Sequence, residues 1–264
     1  MKVCHISTLH ARNDVRIFQK ELLSLTKAYE TFFIVADGEG NSNLYDVKII
    51  DIGLRNSSRI KRATEDSNKA LKKALELDCD IYHLHDPELL KIGLKLKKHK
   101  KKVIFDAHED LPQQILTNEY IPRALRKRIS VDYSYYESYA SKKLDAIVAA
   151  TPTIENKFLA YGASAISVCN YPIIKQSETN YSESNHLVYI GGISESRGIL
   201  NMLDAIENSD YILNLAGKFF NEEIELKAKS HTAWEKVNWL GFINSDEVES
   251  VLSESSIGLV LLHP

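Results

Sequence analysis

The chain has 264 residues, which at about 150 residues per domain allows two modest domains. Hydrophobic residues make up 44% and charged residues 26%, which excludes a collagen, a mucin-like stalk and a wholly disordered chain. The formal net charge is -3, from 33 Lys and Arg against 36 Asp and Glu, so the overall charge does not favour nucleic-acid binding. We expect no nucleic-acid partner.

The amino terminus and the cysteines indicate a cytoplasmic location. The opening sequence MKVCHISTLHARND turns polar too early for the apolar region of a signal peptide. No stretch reaches the roughly 18 consecutive apolar residues that a membrane-spanning helix needs. Cys4, Cys79 and Cys169 are far apart and match no paired metal or redox spacing, which favours a reducing compartment.

Short β-branched and aromatic runs alternate with longer helical patterns along the whole chain, which is typical of βαβ units and a parallel sheet. In the first part the runs predict strands over Lys2–Ser7, Thr31–Ala36, Val47–Ile52, Ile81–His85, Val103–Ala107, Ala146–Ala150 and Ile166–Asn170. Apolar residues recurring at three and four positions predict helices over Arg16–Tyr29, Ile60–Leu77, Pro87–Lys98, Arg123–Leu144 and Thr153–Tyr161. The chain is therefore predicted to be an α/β protein.

A domain boundary is predicted at residues 173–185, whose sequence IIKQSETNYSESN has the composition of a linker. It separates a first domain, residues 1–172, from a smaller second domain, residues 186–264, in which strands and helices alternate again. The last predicted strand, Ile257–Leu262, is as apolar as a strand covered on both faces, yet no helix follows it. We expect an incomplete second domain: either the chain is a fragment, or a partner chain or an exposed patch completes this strand.

Polar clusters follow three predicted strands of the first domain, where ligands bind in open α/β sheets. They lie at 7–16, 83–88 and 106–110. One interpretation is an active-site floor in which four side chains face one cleft: His10, Asp86, His108 and Glu109.

Two other interpretations of these clusters remain open. Asp14 and Asp86 have the residue type and position of helix N-caps, and Pro87 suits a first helical position. A metal site is the other, because His83 and His85 are two apart on a strand and share a face. No cysteine or tight carboxylate set completes that site in the sequence, so we expect no metal.

The second domain carries a glycine-rich turn, YIGGISESRG, between a strand and a helix. Gly191 and Gly192 let the backbone approach a ligand, and Arg197 with the helix N-terminus offers positive potential for a diphosphate. A second turn, at Gly217 and Lys218, could add a donor to the same pocket. Plain βα connections are the alternative for both turns. The spacing is not that of the dinucleotide fingerprint, and the chain has no P-loop lysine motif.

The predicted helix that begins at Arg123 combines basic and aromatic residues over 123–139. They are Arg123, Arg126, Lys127, Arg128, Tyr133, Tyr135, Tyr136 and Tyr139. This combination suggests peripheral contact with an anionic membrane at the inner face. The alternative is a solvated charged turn followed by tyrosines that pack on the sheet.

Several segments together resemble glycosyltransferase family 4, whose members are retaining enzymes with the two-domain GT-B fold. They are HARNDVRIFQKE, HLHDPELL, FDAHEDLP, YIGGISESRGI, LNLAGKF, WLGF and IGLVLLHP, and they cover almost the whole chain in order. The resemblance implies two Rossmann-like domains of GT-B type, the second one incomplete. The first would bind an acceptor, the second a UDP- or GDP-sugar, with catalysis in the cleft between them and no cofactor or metal.

The resemblance also assigns site residues. His108 matches the family histidine that contacts the transferred sugar, and we place Glu109 beside it in catalysis. Arg197 matches the basic residue that neutralises the donor diphosphate, with Gly191, Gly192 and Lys218 around it. The polar residues of the three clusters are assigned to the acceptor side: His10, Asp14, Arg16, His85, Asp86 and Asp110.

The chain departs from the family pattern at two places. Many relatives carry a basic residue where this chain has glycine after the strand ending at Gly191, which leaves Arg197 with Lys218 as its helper. The chain also stops before the segment in which the family places two glutamates seven residues apart and the helix that crosses back to the first domain.

The leading hypothesis is a glycosyltransferase that moves a sugar from a nucleotide donor to a polysaccharide or lipid-linked acceptor with retention of configuration. The diphosphate leaving group would act as base, while the protein stabilises charge and orientation. A catalytically incomplete binding subunit and a sugar-nucleotide epimerase of the same fold are the alternatives. An oxidoreductase is disfavoured by the absence of the dinucleotide fingerprint.

Overall fold

A computed structural model of the chain describes residues 1–118, 120–172 and 184–261. The chain divides into two compact units, Met1–Pro172 and Ile173–Pro264, called unit 1 and unit 2 below. The predicted linker at 173–185 lies outside the described residues except for Ser184 and Asn185.

Unit 1 is built on an eight-stranded sheet. Its strands are β1 Lys2–Ile6, β2 Glu30–Val35, β3 Ser42–Leu44, β4 Val47–Asp51, β5 Ile81–Leu84, β6 Lys102–Ala107, β7 Ala146–Ala149 and β8 Ala165–Ser167. They lie in the order β3-β4-β2-β1-β5-β6-β7-β8, with every pair parallel except β3 and β4. The predicted parallel sheet is confirmed. The three-residue strand β3 was not predicted, because it is too short to show an alternating pattern.

The helices of unit 1 connect these strands. They are Val15–Leu22, Leu23–Leu25, Arg59–Lys61, Arg62–Asp66, Ser67–Leu77, Pro87–Leu89, Leu90–Lys98, Leu111–Thr117, Arg123–Ser141 and Pro152–Ala160. The first predicted helix ends at Leu25 rather than Tyr29, and the helix Leu111–Thr117 was not predicted. Val15–Leu22 has the wider, π-type hydrogen bonding, in which the Gln19 N–H reaches the Asp14 carbonyl at 3.2 Å.

Alternation along the strands sorts the sheet of unit 1 into two buried layers. One face carries Cys4, Ile6, Tyr82 and Leu84, which pack in one apolar cluster with helices that include Ser67–Leu77 and Leu90–Lys98. The opposite face carries Phe33, Val35, Val47 and Ile49, which pack against Ile17, Phe18 and Leu22 of the helix Val15–Leu22. Helices on both faces explain why the strands are buried along most of their length.

Unit 2 is a four-stranded parallel sheet in the order β11-β10-β9-β12. Its strands are β9 His186–Ile190, β10 Ile212–Ala216, β11 Val237–Gly241 and β12 Ile257–Gly258, and its helices are Glu195–Arg197, Ile199–Glu207, Glu222–Lys229, Thr232–Lys236 and Ser245–Ser253. Strand β12 has two residues instead of the predicted Ile257–Leu262, because the last ladder bond within the described residues is Leu259 N–H to the Val188 carbonyl. Leu262 lies outside the described residues.

Candidate functional site

The three polar clusters of unit 1 meet because β1, β5 and β6 are neighbours in the sheet. His5 is paired in register with His83, and Leu84 with Phe105. Parallel strands end at the same edge, so the segments that follow β1, β5 and β6 lie side by side. The structure therefore brings His10, His85, Asp86, Asp106 and His108 together.

Asp86 is fully buried and accepts several hydrogen bonds from the segment that follows β1. Its Oδ2 accepts from the Thr8 N–H, and from Thr8 Oγ1 and Ser7 Oγ at 3.1 Å each. Its Oδ1 lies 3.2 Å from His10 Nδ1. Asp86 occupies the predicted N-cap position before Pro87, but its side chain makes no capping hydrogen bond and contacts Ser7, Thr8 and His10 instead.

Asp86 and His10 each favour the charged form of the other. Burial by itself would raise the pKa of Asp86, but the hydrogen bond and charge of His10, together with the Thr8 N–H, hold it below its ordinary value. The hydrogen bond to Asp86 raises the pKa of His10 in spite of partial burial. Protonation of His10 is therefore easier in the folded chain than for a free imidazole.

Asp106, at the end of β6, is a second buried carboxylate. Arg16 donates to both of its oxygens, His85 Nδ1 lies 3.2 Å from Oδ2, and His108 Nε2 lies 2.7 Å from Oδ2. Burial would raise the pKa of Asp106, but the hydrogen bonds from His108, His85 and Arg16 hold it well below its ordinary value. Asp106 is thus an ionised acceptor that fixes three side chains.

The hydrogen bonds to Asp106 determine which ring nitrogen of His85 and of His108 stays available for another partner. An ionised carboxylate only accepts, so a neutral His108 carries its hydrogen on Nε2 and keeps Nδ1 as an acceptor. The His108 ring lies 5.2 Å from the His10 ring and 5.8 Å from the His85 ring, centroid to centroid. All three line a cavity of about 270 Å³ together with Asp86, Asp106 and Glu109.

The remaining predicted site residues of unit 1, three on the acceptor side and the predicted catalytic Glu109, have structural contacts. Asp14 caps the helix Val15–Leu22 through the N–H groups of Arg16 and Ile17, so its capping interpretation is confirmed. Asp110 caps Leu111–Thr117 and lies 3.2 Å from Lys157 Nζ. The exposed Glu109 lines the cavity and accepts a hydrogen bond from Gln114. Arg16 is buried against Asp106 and the Val168 carbonyl.

A further polar group shares His85 with this cavity. One ligand atom each of His5, Glu21, His83 and His85 lies within 4.8 Å of the others, and a second such group is His85, Asp106 and His108. Sequence reasoning singled out His83 and His85 but missed His5 and Glu21. Strand alternation could have predicted that His5 of β1 lies on the same sheet face as His83. No feature of the sequence indicated Glu21.

Unit 2 places its two glycine turns against each other. The Ile193 N–H donates to the Lys218 carbonyl at 2.9 Å, and a Cβ on Gly217 would come within 1.8 Å of the Gly191 carbonyl oxygen. Gly217 also has φ +140°, a conformation that side chains disfavour. The close approach of the two turns therefore requires glycine at position 217.

The two cations of unit 2 lie differently around these turns. Arg197 is exposed in the short helix Glu195–Arg197, and its Nη1 would be 3.4 Å from a Cβ on Gly191. The Lys218 ammonium instead lies 5.5 Å from the ring centroid of Phe242. Arg197 is thus the cation at the first glycine turn, and the assignment of Lys218 as its helper stays a prediction.

The basic and aromatic helix Arg123–Ser141 has both buried and exposed tyrosines. Tyr136 packs against the apolar core and burial raises the pKa of Tyr133, whereas Tyr135 is 74% exposed and Tyr139 59% exposed. Part of this helix therefore packs on the core of unit 1, and membrane contact through its exposed residues stays a prediction. Among the described residues, no helix combines the length and the apolar character needed to cross a bilayer.

The sequence profile described as Glycosyltransferase Family 4 matches residues 5–172, which include every candidate residue of unit 1. No curated protein matches the chain at a significant level.

Solved structures with similar folds cover nearly the whole chain. Sucrose-phosphate synthase from Thermosynechococcus elongatus has a TM-score of 0.73 at 13% identity, over 98% of this chain and 75% of the synthase. Anabaena HepE with UDP and glucose has a TM-score of 0.64 at 13% identity, over 99% and 74%. UDP-N-acetylglucosamine 2-epimerase from Rickettsia bellii has a TM-score of 0.61 at 8% identity, over 98% and 73%. The expected GT-B fold is confirmed.

Proposed function

The chain belongs to glycosyltransferase family 4, and from this membership we propose that it transfers a sugar from a nucleotide-sugar donor to a glycan or lipid-linked acceptor. The observation that carries the proposal is the cavity of unit 1, in which His10, His85 and His108 meet two buried, ionised carboxylates. These side chains can form hydrogen bonds with the hydroxyl groups of a sugar and can stabilise charge that develops during the reaction.

In the proposed reaction, His108 binds the transferred sugar. Asp106 holds the His108 ring by its Nε2 hydrogen and leaves Nδ1 to accept a sugar hydroxyl. His10, whose pKa is raised by its hydrogen bond to Asp86, serves the acceptor side. Fixed polar groups of this kind stabilise charge without reorganising during the reaction.

Unit 2 is proposed to hold the donor diphosphate. The paired glycine turns bring backbone close to a ligand, and the exposed Arg197 guanidinium at Gly191 offers a fork of donors for phosphate oxygens. HepE, which shares the fold, is described in complex with UDP and glucose, which supports a UDP-sugar among the donors to be tested.

The bond changes of the proposed step balance without an added base. The bond between the anomeric carbon and the diphosphate oxygen breaks, and the acceptor oxygen bonds to the same face of that carbon. Because attack and departure take place on one face, the anomeric configuration is retained. The acceptor proton passes to the departing diphosphate. The protein contributes position and charge stabilisation.

Donor binding by purified protein is the first test. We expect calorimetric titration with UDP, GDP and their sugars to detect one binding nucleotide, and Arg197→Ala to lose it. The matched control is Lys227→Ala, an exposed cation of unit 2 that pairs with Glu223. Binding unchanged in Arg197→Ala would contradict the diphosphate assignment, and no binding to any member of the panel would contradict the transferase proposal.

Transfer itself is tested with the donor identified in that titration and a panel of glycans and lipid-linked sugars. Proton NMR of the product gives the configuration of the new linkage. A product with the donor's anomeric configuration supports retention, and the opposite configuration contradicts the proposed step.

A sugar-nucleotide epimerase is the second candidate, favoured by the likeness to an epimerase structure. An epimerase would convert the donor without any acceptor. Incubating the protein with the donor alone and following the sugar by NMR distinguishes the two activities. A new sugar nucleotide indicates an epimerase, and an unchanged donor favours the transferase.

Peripheral membrane contact through 123–139 is also proposed, for a lipid-linked acceptor. The exposed side chains Tyr135, Tyr139 and Arg128 on this helix support it. We expect co-sedimentation with anionic vesicles at low salt, weakened in a Tyr135→Ser and Arg128→Ser double variant. Equal sedimentation of that variant and the wild type would contradict the proposal.

A further inference from the structure

Four potential metal ligands of unit 1 come together from three separate segments of the chain. His5 lies on β1, His83 on β5 and His85 just after it, while Glu21 comes from the helix that crosses this face. His5 and His83 are direct neighbours across the β1–β5 pair. Strand alternation points His83 and His85 to the same face, and their ring centroids are 4.7 Å apart.

The donor atoms of this group have the spacing of a compact coordination site. His5 Nδ1 lies 2.8 Å from His85 Nε2 and 3.7 Å from Glu21 Oε2. Glu21 Oε2 lies 4.0 Å from His83 Nδ1 and 3.9 Å from His85 Nε2. Tetrahedral Zn²⁺ with bonds of 2.0–2.1 Å places its ligand atoms about 3.3 Å apart, so coordination would change these four separations by about 0.4–0.7 Å.

Hydrogen bonds within the protein leave this group unsatisfied. Within the described residues, the buried atoms without a hydrogen-bond partner include His5 Nε2, His83 Nε2 and both Glu21 carboxylate oxygens. Buried polar atoms without partners are costly, and four of the seven found among the described residues belong to this group. A bound cation would satisfy the Glu21 carboxylate, whose Oε2 faces His5 Nδ1, His83 Nδ1 and His85 Nε2. The unpartnered Nε2 atoms of His5 and His83 belong to the other side of those rings.

From these contacts we propose that His5, Glu21, His83 and His85 form a closed Zn²⁺ site in unit 1. Three imidazoles and one carboxylate match the donor preference of Zn²⁺. Four protein ligands fill a tetrahedral shell, so the ion is structural and ties the helix Val15–Leu22 to β1 and β5. The site shares His85 with the transfer cavity, whereas His5, Glu21 and His83 do not line that cavity.

Outer contacts orient two of the ligands. Asp106 accepts from His85 Nδ1 at 3.2 Å, which leaves His85 Nε2 free to face His5 and Glu21. A carboxylate behind a histidine is the usual support of a metal-bound imidazole. Arg16 Nε lies 3.1 Å from Glu21 Oε1, while the other oxygen, Oε2, faces the histidines.

The protonation states are compatible with coordination. Burial lowers the pKa of His5 and His85 below the ordinary value and that of His83 to about 3, so all three rings are neutral. Burial, with the neighbouring Asp106 charge, raises the pKa of Glu21 to about 9, and a divalent cation would replace that proton.

An entry route exists beside the group. His5, Glu21 and His83 line a cavity of about 310 Å³ whose other walls include Leu25, Tyr29, Ile81, Ile104, Val148 and Val168. An ion can reach three of the four ligands from this cavity. The competing interpretation is a hydrogen-bonded histidine cluster, in which His5 Nδ1 donates to His85 Nε2 and no ion binds.

Zinc binding by the full chain, with any affinity tag removed, tests the proposal. Chelator-stripped protein is titrated with Zn²⁺ against a chromophoric competitor, and Co²⁺ replaces Zn²⁺ for absorption spectra. The variants are Glu21→Gln and His83→Asn, and the matched control is His99→Gln, an exposed histidine of unit 1. Circular dichroism checks that each variant is folded.

We expect one Zn²⁺ per chain and a tetrahedral Co²⁺ spectrum in the wild type and in His99→Gln, with a higher melting temperature when Zn²⁺ is present. Loss of one ligand should weaken binding by about 100-fold or more, since even outer contacts are worth 10–100-fold. Less than stoichiometric binding by the wild type, or equal binding in both variants, overturns the proposal. If the variants unfold, X-ray absorption at the zinc edge of the wild type counts the imidazole ligands of the bound ion. Three imidazoles support the proposed site, and fewer than three contradict it.

Discussion

Arg16 and Asp106 form a buried, two-pronged ion pair, with Nε 2.9 Å from Oδ2 and Nη2 2.8 Å from Oδ1. A third donor of the same guanidinium, Nη1, bonds the Val168 carbonyl at 2.9 Å. One side chain therefore ties the helix Val15–Leu22 to the end of β6 and to the segment after β8. The carboxylate that it holds also positions His85 and His108, so the shape of the candidate site depends on this pair.

Loss of this pair should destabilise unit 1 strongly. Arg16→Ala leaves the buried Asp106 carboxylate without its guanidinium, and we expect a loss of about 3–5 kcal/mol in the free energy of unfolding. Urea denaturation followed by circular dichroism measures it. Arg128→Ala, which breaks an exposed pair with Asp132, is the control and should unfold like the wild type. A loss of less than about 1 kcal/mol in Arg16→Ala would show that other donors satisfy Asp106.

The pair of His10 and Asp86 should make stability depend on pH near neutrality. The folded-state pKa of His10 is raised above 6.5 by its hydrogen bond to Asp86, so its contribution is complete below pH 6.5 and is lost as pH rises through the folded pKa. The difference in unfolding free energy between the wild type and His10→Gln should therefore be largest in mild acid and shrink toward pH 8 or so. Urea titrations across this range measure it.

NMR titration gives an independent reading of the same pair. The His10 ring should titrate above its ordinary value in the wild type and lower in Asp86→Asn, which keeps the shape but removes the charge. The pairing would be refuted by a His10 pKa that does not change between the two proteins.

His108 should affect turnover more than donor affinity. Its Nε2 is held by Asp106, and under the proposed function its free Nδ1 meets the sugar during transfer, so His108→Ala should lower kcat by about 100-fold. Donor affinity, measured by calorimetry, should change much less, and His99→Ala serves as the exposed control. Equal losses in turnover and affinity would make His108 a binding residue instead.

Gly217→Ala should disrupt the paired turns of unit 2. Its Cβ would approach the Gly191 carbonyl oxygen to 1.8 Å, and backbone cannot yield as a flexible side chain does. We expect loss of donor binding and a lower melting temperature for unit 2. Gly192→Ala is the matched control for stability, because nothing lies within 4 Å of its added methyl group. A fully stable Gly217→Ala protein would mean that the two turns are able to separate.

Glu21 shows why part of the site escaped prediction. Regular α-helical spacing from Arg16 would turn Glu21 away from the buried face. The segment Val15–Leu22 instead has wider hydrogen bonding, which turns less per residue and brings Glu21 to within 3.1 Å of Arg16. The helix pattern was visible in the sequence, but its hydrogen-bond type was not.

Asp86 was predicted both as a helix cap and as a member of one cleft with His10. It does lie before the helix Pro87–Leu89, but local sequence does not show which groups its side chain contacts. Those partners, Ser7, Thr8 and His10, come from a segment about 80 residues earlier in the chain. Only the pairing of β1 with β5 brings the two segments together.

The sequence by itself determined the α/β class, the alternation of strands and helices that forms a parallel sheet, and the family. It also showed which polar residues follow the strands. These features depend on local periodicity and on motifs. Tertiary structure decided which of those residues touch, since strand neighbours and helix geometry are set by the packing of the whole unit. That is why the cluster of His5, Glu21, His83 and His85 emerged only from the fold. The hydrogen bonds to Asp106, which come from three separate segments, emerged in the same way.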